Sequence, residues 1–424
     1  MAAARRIVLA CWGSFGDLFP SLAIAIGLRD EGHRPVVAAP ALYREIVEAL
    51  GVDFHPVPPD VDPTDAALMH RLMDPRTGSQ VIVGEILGRS VRESYDALSQ
   101  VVPHADVVVS HPVTFAAPLA ARVHGIPWLS TVLAPASLFS VHDFPLLGPY
   151  PQALRIARVA PVLARGVLAL MKRETADWTM PVRALRAKLG LGDVGDPLYE
   201  GQFSPQGTLA LFSSQFARPQ PDWPPRARVT GFVFHDGDNR LSDDLRAFLD
   251  AGDPPIVFTL GSSAAETPGQ FYEESARAAE ALGRRAVFLV GRSAAVRPGD
   301  TGRGQFISTF APHAPLFARA AAVVHHGGIG TLAQAMRAGR PMLVVPHAHD
   351  QPDNAVRAER MGIARVVPAR AYRQARVARA LDALCASRTI ADQAAAIGRH
   401  VSLERGTAVA VQAILDVAAV GDRP

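Results

Sequence analysis

Cysteine and lysine are scarce in this 424-residue chain. The two cysteines, Cys11 and Cys385, lie far apart in apolar contexts, which argues against a disulfide framework and favours a reducing, cytoplasmic location. Lys172 and Lys188 are the only lysines, so arginine supplies nearly all of the positive charge behind a net charge of +3. A surplus this small argues against a dedicated nucleic-acid-binding protein.

Long apolar runs are also missing. The most apolar helical stretch, residues 160–171, is interrupted by Arg165 and is shorter than the roughly 20 residues that a membrane span requires. We expect a buried amphipathic helix here. Peripheral contact with a membrane surface is the alternative, and an integral membrane protein is not expected.

Short apolar runs alternate with helical patterns from residue 6 to about residue 140, and the alternation restarts near residue 255. The order predicts an α/β protein of two doubly wound, parallel-sheet domains that face each other across a ligand-binding cleft. The expected parts are an N-terminal domain (1–217), a proline-rich linker (218–235), a C-terminal domain (236–400), and a C-terminal helix (401–424) with the N-terminal domain as its candidate packing partner.

A buried strand is followed directly by glycines and a helix in "AAVVHHGGIGTLAQAM". Gly327, Gly328 and Gly330 allow a tight turn that presents backbone N–H groups and the positive helix end to an anion, for which a phosphate is expected. A purely structural strand-to-helix turn is the alternative. No Gly-Lys-Ser or Gly-Lys-Thr occurs, which excludes a Walker phosphate loop. The segment "TLGSS", ending in Ser262 and Ser263, is a second candidate to approach the same phosphate.

These elements, together with "HAHDQPDN" after the next strand, resemble the donor-binding signature of glycosyltransferases that use nucleotide sugars and adopt the GT-B fold. The resemblance covers nearly the whole chain and is strongest over residues 310–354. The double histidine and Gly-Ile-Gly-Thr are similar to bacterial enzymes of the UGT-like family, the rhamnolipid-type rhamnosyltransferases and their natural-product relatives. This resemblance implies an inverting hexosyltransferase whose only cofactor is the nucleotide-sugar donor.

The resemblance assigns donor-binding roles residue by residue. The diphosphate would be bound by Ser262, Ser263, His326, Gly328, Gly330 and Thr331; the nucleoside by Phe310, Ala311 and Gln334; and the sugar by Asp350 and Gln351. Gln334 stands where plant enzymes carry a ribose-binding glutamate, which leaves room for a deoxyribose donor. We therefore favour dTDP-rhamnose, followed by UDP-glucose. For Asp350 the alternative role is a helix cap, and for His325 packing in the strand is favoured over a second ligand contact.

On the catalytic side, "CWGSFGDLFP" resembles the Gly-Ser-x-Gly-Asp segment of bacterial relatives, whose aspartate is the proposed general base. Asp17 would take this role, with an N-cap ahead of Pro20 as the alternative. His111 is a second candidate, either as a partner of Asp17 or as an alternative base. The predicted cleft segments contain no Asp-x-Asp element, so no essential metal is expected.

The acceptor is expected to be a small hydrophobic molecule such as a lipid, a flavonoid or a polyketide. Phe139, His142 and Phe144 are the candidates for its pocket, with core packing as the alternative for many apolar residues of the same region. Two other functions compete with the transferase: a nucleotide-sugar epimerase and a non-catalytic, glycosyltransferase-like auxiliary protein. The sequence specifies no oligomeric state.

Overall fold

The computed structural model describes residues 3–147, 151–261, 268–291 and 304–420. Within them the chain forms two sheets in which every strand pair is parallel, as the alternating pattern predicts. The central strands are near-continuous apolar runs because both faces of each sheet are covered by helices.

The first sheet has the order β3-β2-β1-β4-β5-β6-β7 and the second has the order β10-β9-β8-β11-β12-β13. The strands are β1 (Arg6–Ala10), β2 (Arg34–Ala39), β3 (Asp53–Pro56), β4 (Val107–Ser110), β5 (Trp128–Val132), β6 (Thr208–Ala210), β7 (Ala227–Val229), β8 (Ile256–Thr259), β9 (Ala286–Leu289), β10 (Gln305–Ser308), β11 (Ala322–His325), β12 (Met342–Val344) and β13 (Ala364–Val366).

The helices of the first half are α1 (Phe15–Asp30), α2 (Arg44–Ala49), α3 (Ala66–Leu72), α4 (Gly78–Gln80), α5 (Arg89–Leu98), α6 (Ala116–Val123), α7 (Pro151–Ala157), α8 (Pro161–Glu174) and α9 (Met180–Lys188). A π-helical stretch, Val81–Gly88, joins α4 to α5. Those of the second half are α10 (Asp243–Asp250), α11 (Phe271–Ala281), α12 (His313–Phe317), α13 (Ile329–Arg337), α14 (Gln351–Arg360), α15 (Gln374–Cys385), α16 (Arg388–Ser402) and α17 (Gly406–Val420). Short 3-10 turns occur at Ala41–Tyr43, Val102–His104, Pro135–Leu138 and Ala369–Ala371.

The segment predicted as a linker contains part of the first sheet. Strand β7 lies inside residues 218–235 and pairs with β6, so the first sheet continues beyond residue 217. The irregular connection between the sheets therefore begins after Val229 and runs to Ser242, the N-cap of α10.

The C-terminal helix α17 packs on the first half of the chain. Its apolar side chains share a core with β1 and α1. A Cβ at Gly27 would lie 3.0 Å from Val411, so the glycine allows α1 and α17 to approach closely. Ahead of α17, Glu404 accepts hydrogen bonds from the Ser213 hydroxyl and the Phe232 N–H. The C-terminal end of the second half is thus packed against the first half.

The two halves also meet where strands of both sheets end. Ile329, the first residue of α13, packs against the core formed by β1, α1 and α17. His235, in the connection between the sheets, packs against Phe19 of α1 with ring centroids 5.4 Å apart. No helix among the described residues has the length and hydropathy that a membrane span needs.

Candidate active site

Asp17 is held by a turn between β1 and α1. Ser14 is the N-cap of α1, and Asp17 is the third helical residue, so it completes a capping box and is not itself the cap. Its Oδ2 accepts hydrogen bonds from the Ser14 N–H at 2.7 Å and the Ser14 hydroxyl at 3.1 Å. A Cβ at Gly13, where φ is +132°, would lie 2.3 Å from that oxygen, so glycine is required for the carboxylate to lie against the turn.

His111 lies beside Asp17 because β4 pairs with β1 and His111 directly follows β4. Asp17 Oδ1 is 3.3 Å from His111 Nε2. The aspartate side chain is 31% exposed and the histidine side chain only 8%. Among the described residues, no group hydrogen-bonds the buried Nδ1 of His111. The carboxylate is therefore the member of this pair that a ligand in the cleft can reach.

The glycine turn leaves the N-terminus of α13 without a side-chain cap. Gly327 has φ +93°, and Gly328 occupies the N-cap position. The first N–H groups of the helix, including that of Gly330, have no partner within the helix. Gly330 is exposed, and a Cβ there would meet nothing within 4 Å. Thr331 is mostly buried in the same turn. This helix end is open to an anion.

His326 is enclosed between two glycines. A Cβ at Gly261 would lie 2.5 Å from its Cε1, and one at Gly328 would lie 2.4 Å from its Nε2, so larger residues on either side would displace the ring. Burial lowers the pKa of His326 well below its ordinary value, and the neighbouring histidines add to the effect. The ring is therefore neutral at pH 7 and presents one N–H donor.

His325 is fully buried at the end of β11, where its Nδ1 accepts a hydrogen bond from the Gly327 N–H at 3.1 Å. It thus shapes the glycine turn from behind, in agreement with its interpretation as a packed strand residue. Ser262 and Ser263 lie outside the described residues, just after Gly261.

Asp350 and Gln351 stand at the start of α14, beyond β12. Asp350 occupies the N-cap position but makes no capping hydrogen bond, so the helix-cap alternative does not describe its side chain. Its Oδ2 accepts a hydrogen bond from Asn354 Nδ2 at 2.7 Å, and the same amide donates to the Gly327 carbonyl at 3.0 Å. Asn354 therefore links the start of α14 to the glycine turn.

Burial raises the pKa of Asp350 to about 7, and the negative charge of Asp17 contributes to the rise. The carboxylate of Asp17 therefore acts electrostatically on that of Asp350 across the cleft. Gln351 is almost fully buried, and its Oε1 accepts hydrogen bonds from the N–H groups of His347 (2.9 Å) and Ala348 (3.2 Å). This oxygen fixes the loop before α14.

The proposed nucleoside residues differ in how available they are. The side chain of Phe310 is 70% exposed, so an aromatic ring is free to stack on it, whereas Ala311 is buried. Gln334 is half-buried and bound at both ends: its Nε2 donates to Asp236, and its Oε1 accepts from Arg337. Sequence reasoning did not identify Asp236, because it is distant from Gln334 in the chain.

The three acceptor candidates are not equivalent. Phe144 is 1% exposed and packs in a small core with Ala157 and Ala164, which is the core-packing alternative for this residue. Phe139 is half-buried and packs on Tyr199 with ring centroids 4.6 Å apart. His142 is exposed.

A buried ion network that the sequence did not reveal connects the acceptor half to α14. Arg357, fully buried, binds Asp143 and, through Nε, Asp353 at 2.6 Å. Asp353 also accepts hydrogen bonds from Arg158 at 2.6 Å and from the Leu146 N–H at 3.0 Å. Asp143, Leu146 and Arg158 are thereby fixed to the helix that carries Asp350 and Gln351.

The described ranges contain no group of three or more histidine, cysteine or acidic side chains arranged to hold a metal ion. The polar groups that converge on the cleft are instead a free helix end, a neutral histidine, an amide and two carboxylates. Such a set suits a ligand that carries both an anionic group and several hydroxyls.

Comparison with known proteins agrees with this chemistry. Residues 304–412 match the family model described as Erythromycin biosynthesis protein CIII-like, C-terminal domain, and residues 7–129 match the Glycosyltransferase family 28 N-terminal domain. O-mycaminosyltylonolide 6-deoxyallosyltransferase of Streptomyces fradiae is 32% identical over 413 residues, which are 95% of this chain and 94% of that protein.

Solved structures show the same fold. The glycotransferase of kitacinnamycin superposes with a TM-score of 0.73 at 21% identity, covering 98% of this chain and 99% of its own. Spinosyn Rhamnosyltransferase SpnG, complexed with thymidine diphosphate, gives a TM-score of 0.68 at 15% identity over 96% of this chain and 99% of its own. These similarities confirm the GT-B fold and favour the transferase over the epimerase and the auxiliary protein. The chain belongs to the bacterial natural-product glycosyltransferases of the UGT-like group and is a nucleotide-sugar-dependent glycosyltransferase.

Proposed function

We propose that this enzyme transfers a 6-deoxyhexose from a dTDP-linked donor to a hydroxyl group of a small hydrophobic acceptor, with inversion at the anomeric carbon. The observation that carries the proposal is the proximity of these groups: Asn354 links the glycine turn before α13 to Asp350, and the charge of Asp17 acts on Asp350. dTDP-rhamnose is the leading donor and UDP-glucose the next.

The choice of donor is supported by the relatives. The Streptomyces fradiae protein is named for transfer of 6-deoxyallose, which is a 6-deoxyhexose. SpnG, which has the same fold, is named for rhamnose transfer and was solved with thymidine diphosphate. An amide at Gln334, where plant enzymes have a carboxylate, fits a nucleoside that lacks the 2′-hydroxyl.

Asp17 is the proposed general base. The acceptor oxygen attacks the anomeric carbon, its proton passes to the Asp17 carboxylate, and the bond from the sugar to the diphosphate breaks. His111 is the proposed positioning residue, since it contacts Oδ1 but is too buried to reach the acceptor itself. A single displacement of this kind inverts the configuration.

The departing diphosphate gains negative charge as the bond breaks. The N–H groups at the start of α13 and the neutral imidazole of His326 are the proposed donors that stabilise it. Because these donors meet the charge directly, the proposal requires no divalent cation, and EDTA is expected to leave turnover unchanged.

The test is product analysis with purified enzyme. dTDP-rhamnose and UDP-glucose are each incubated with a panel of macrolide, flavonoid and lipid alcohols, and the glycosides are identified by mass spectrometry and NMR. We expect a rhamnoside whose anomeric configuration is opposite to that of the donor. A product with retained configuration, or transfer only from UDP-glucose, would contradict the proposal.

A further inference from the structure

Gln334 lies on the side of α13 that carries the proposed diphosphate site at its N-terminal end. Gly328, Thr331 and Gln334 are spaced by three residues, so they follow one another along the same side of the helix. We expect a nucleoside attached to a diphosphate at the N-terminus to extend along this side of the helix. The inference below therefore rests on the proposed function.

The amide of Gln334 is not free to bind ribose through both of its ends. Nε2 donates to Asp236 Oδ1 at 3.3 Å, and Oε1 accepts from Arg337 Nη2 at 2.7 Å. The hydrogen-bonding capacity at this position is used to hold a neighbouring carboxylate in place.

Asp236 is fixed by Arg337 with two hydrogen bonds. Arg337 Nη1 lies 2.9 Å from Oδ2 and Nη2 lies 2.5 Å from Oδ1, while the guanidinium sits 4.0 Å from the ring centroid of Phe234. Although burial alone would raise the pKa of Asp236, the hydrogen bonds and charge of Arg337 hold it below its ordinary value. The group is therefore an ionised carboxylate at neutral pH and acts only as an acceptor.

One acceptor site of this carboxylate remains unused. Each carboxylate oxygen has two lone-pair sites. Oδ1 already accepts from both Gln334 and Arg337, whereas Oδ2 accepts only from Arg337. The Asp236 side chain is 30% exposed, so a ligand has access to it.

We propose that Asp236, from the connection between the two sheets, binds the 3′-hydroxyl of the donor nucleoside through Oδ2, with Gln334 and Arg337 as positioning residues. The carboxylate that position 334 lacks is thus supplied by a residue 98 positions away in the chain. Because one acceptor site remains on Oδ2, Asp236 binds one hydroxyl, and the 2′-hydroxyl is not required. The ligand class is nucleoside diphosphates with a free 3′-hydroxyl, of either the ribose or the deoxyribose series.

A purely structural role is the competing explanation. Asp236 ties the connection to α13, and the adjacent His235 packs on Phe19 of α1, so the same contacts join the two halves. A binding experiment in which both the protein and the ligand hydroxyl are changed separates the two explanations.

The experiment is isothermal titration of the full chain and its Asp236→Asn variant with dTDP and with 2′,3′-dideoxythymidine diphosphate. We expect the unmodified chain to bind dTDP about tenfold to a hundredfold more tightly, the contribution of one hydrogen bond to a charged group. In Asp236→Asn, dTDP affinity falls toward that of the dideoxy compound, while affinity for the dideoxy compound changes less than about threefold. Titration with UDP and dUDP is expected to give similar affinities.

The matched control is Asp238→Asn, which changes an exposed carboxylate of the same connection and is expected to bind like the unmodified chain. An equal loss of affinity for dTDP and the dideoxy compound in Asp236→Asn would show a structural role and overturn the proposal. So would an unmodified chain that does not distinguish the two ligands. If no nucleoside diphosphate binds the unmodified chain at all, the proposed function itself fails.

Discussion

Asp17 Oδ1 lies 3.3 Å from His111 Nε2, at the ends of two strands that are neighbours in the first sheet. The other carboxylate oxygen is fixed by Ser14, so the orientation of Asp17 is set from two sides. A base held in this way needs little reorganisation when the acceptor arrives.

Replacing Asp17 by Asn is expected to lower kcat/KM by about a hundredfold or more, because proton transfer from the acceptor is lost. Asparagine has the same shape and retains an oxygen for the Ser14 N–H, so dTDP binding and the melting temperature should not change. His111→Gln is expected to lose less, about tenfold, because it removes one contact to the base. The measurement is initial-rate kinetics with one acceptor, and a larger loss in His111→Gln than in Asp17→Asn would reverse the two roles.

Two glycines of the α13 turn provide a matched pair of variants. Gly328→Ala places a Cβ 2.4 Å from His326 Nε2, so we expect both a lower melting temperature and weaker dTDP binding. Gly330→Ala meets no protein atom within 4 Å, so it should fold normally and lose affinity only through a clash with the diphosphate. Thermal melts and titration calorimetry measure the two effects. Normal dTDP binding by Gly330→Ala would place the diphosphate elsewhere.

Asp350 is expected to give the protein a pH-dependent stability. Its pKa is raised to about 7 by burial, compared with about 3.9 for an unfolded chain. Between these pH values the folded state holds a proton that the unfolded state has lost. The contribution of this proton to the free energy of unfolding is therefore fully present below about pH 4 and is lost as the pH rises through about 7. Asp350→Asn should therefore gain stability relative to the unmodified chain as the pH increases from 5 to 8. Urea unfolding at the two pH values measures this, and a pH-independent difference would contradict it.

The buried network around Arg357 should contribute strongly to stability. Arg357→Leu leaves Asp143 and Asp353 without their shared cation, for which we expect a loss of about 3–5 kcal/mol in the free energy of unfolding. Arg360→Ala, which removes an exposed side chain 3.8 Å from Asp143, is the control and should cost less than about 1 kcal/mol. Equal effects of the two substitutions in urea unfolding would argue against a stabilising role for the network.

The sequence predicted what is local in the chain. The glycine turn, His326 and the Asp350–Gln351 pair were placed correctly at the ends of strands, since each lies beside an apolar run that predicts its strand. Strand β7, inside the segment predicted as a linker, was missed; it is 3 residues long and lies at one edge of the first sheet. An edge strand is paired on one side only, so its burial and its apolar pattern are weaker.

Contacts between distant residues could not be predicted in the same way. Gln334 donates a hydrogen bond to the carboxylate of Asp236, and Arg357 binds Asp143 in the other half of the chain. Nothing in the spacing of these residues indicates that they meet, because their proximity depends on how the two sheets are placed. Phe144 was a candidate for the acceptor pocket because of its apolar character, which packing in a small core explains equally well.

The most direct test of the proposed binding of the donor sugar is titration calorimetry. It compares dTDP-rhamnose with dTDP, in the unmodified chain and in Gln351→Glu. Glutamate keeps the oxygen that binds the N–H groups of His347 and Ala348 but removes the amide donor. We predict that dTDP-rhamnose binds the unmodified chain more tightly than dTDP, and that Gln351→Glu loses this difference while binding dTDP normally. Equal affinities of the two ligands for the unmodified chain, or a difference that survives in Gln351→Glu, would contradict the assignment of the start of α14 to the donor sugar.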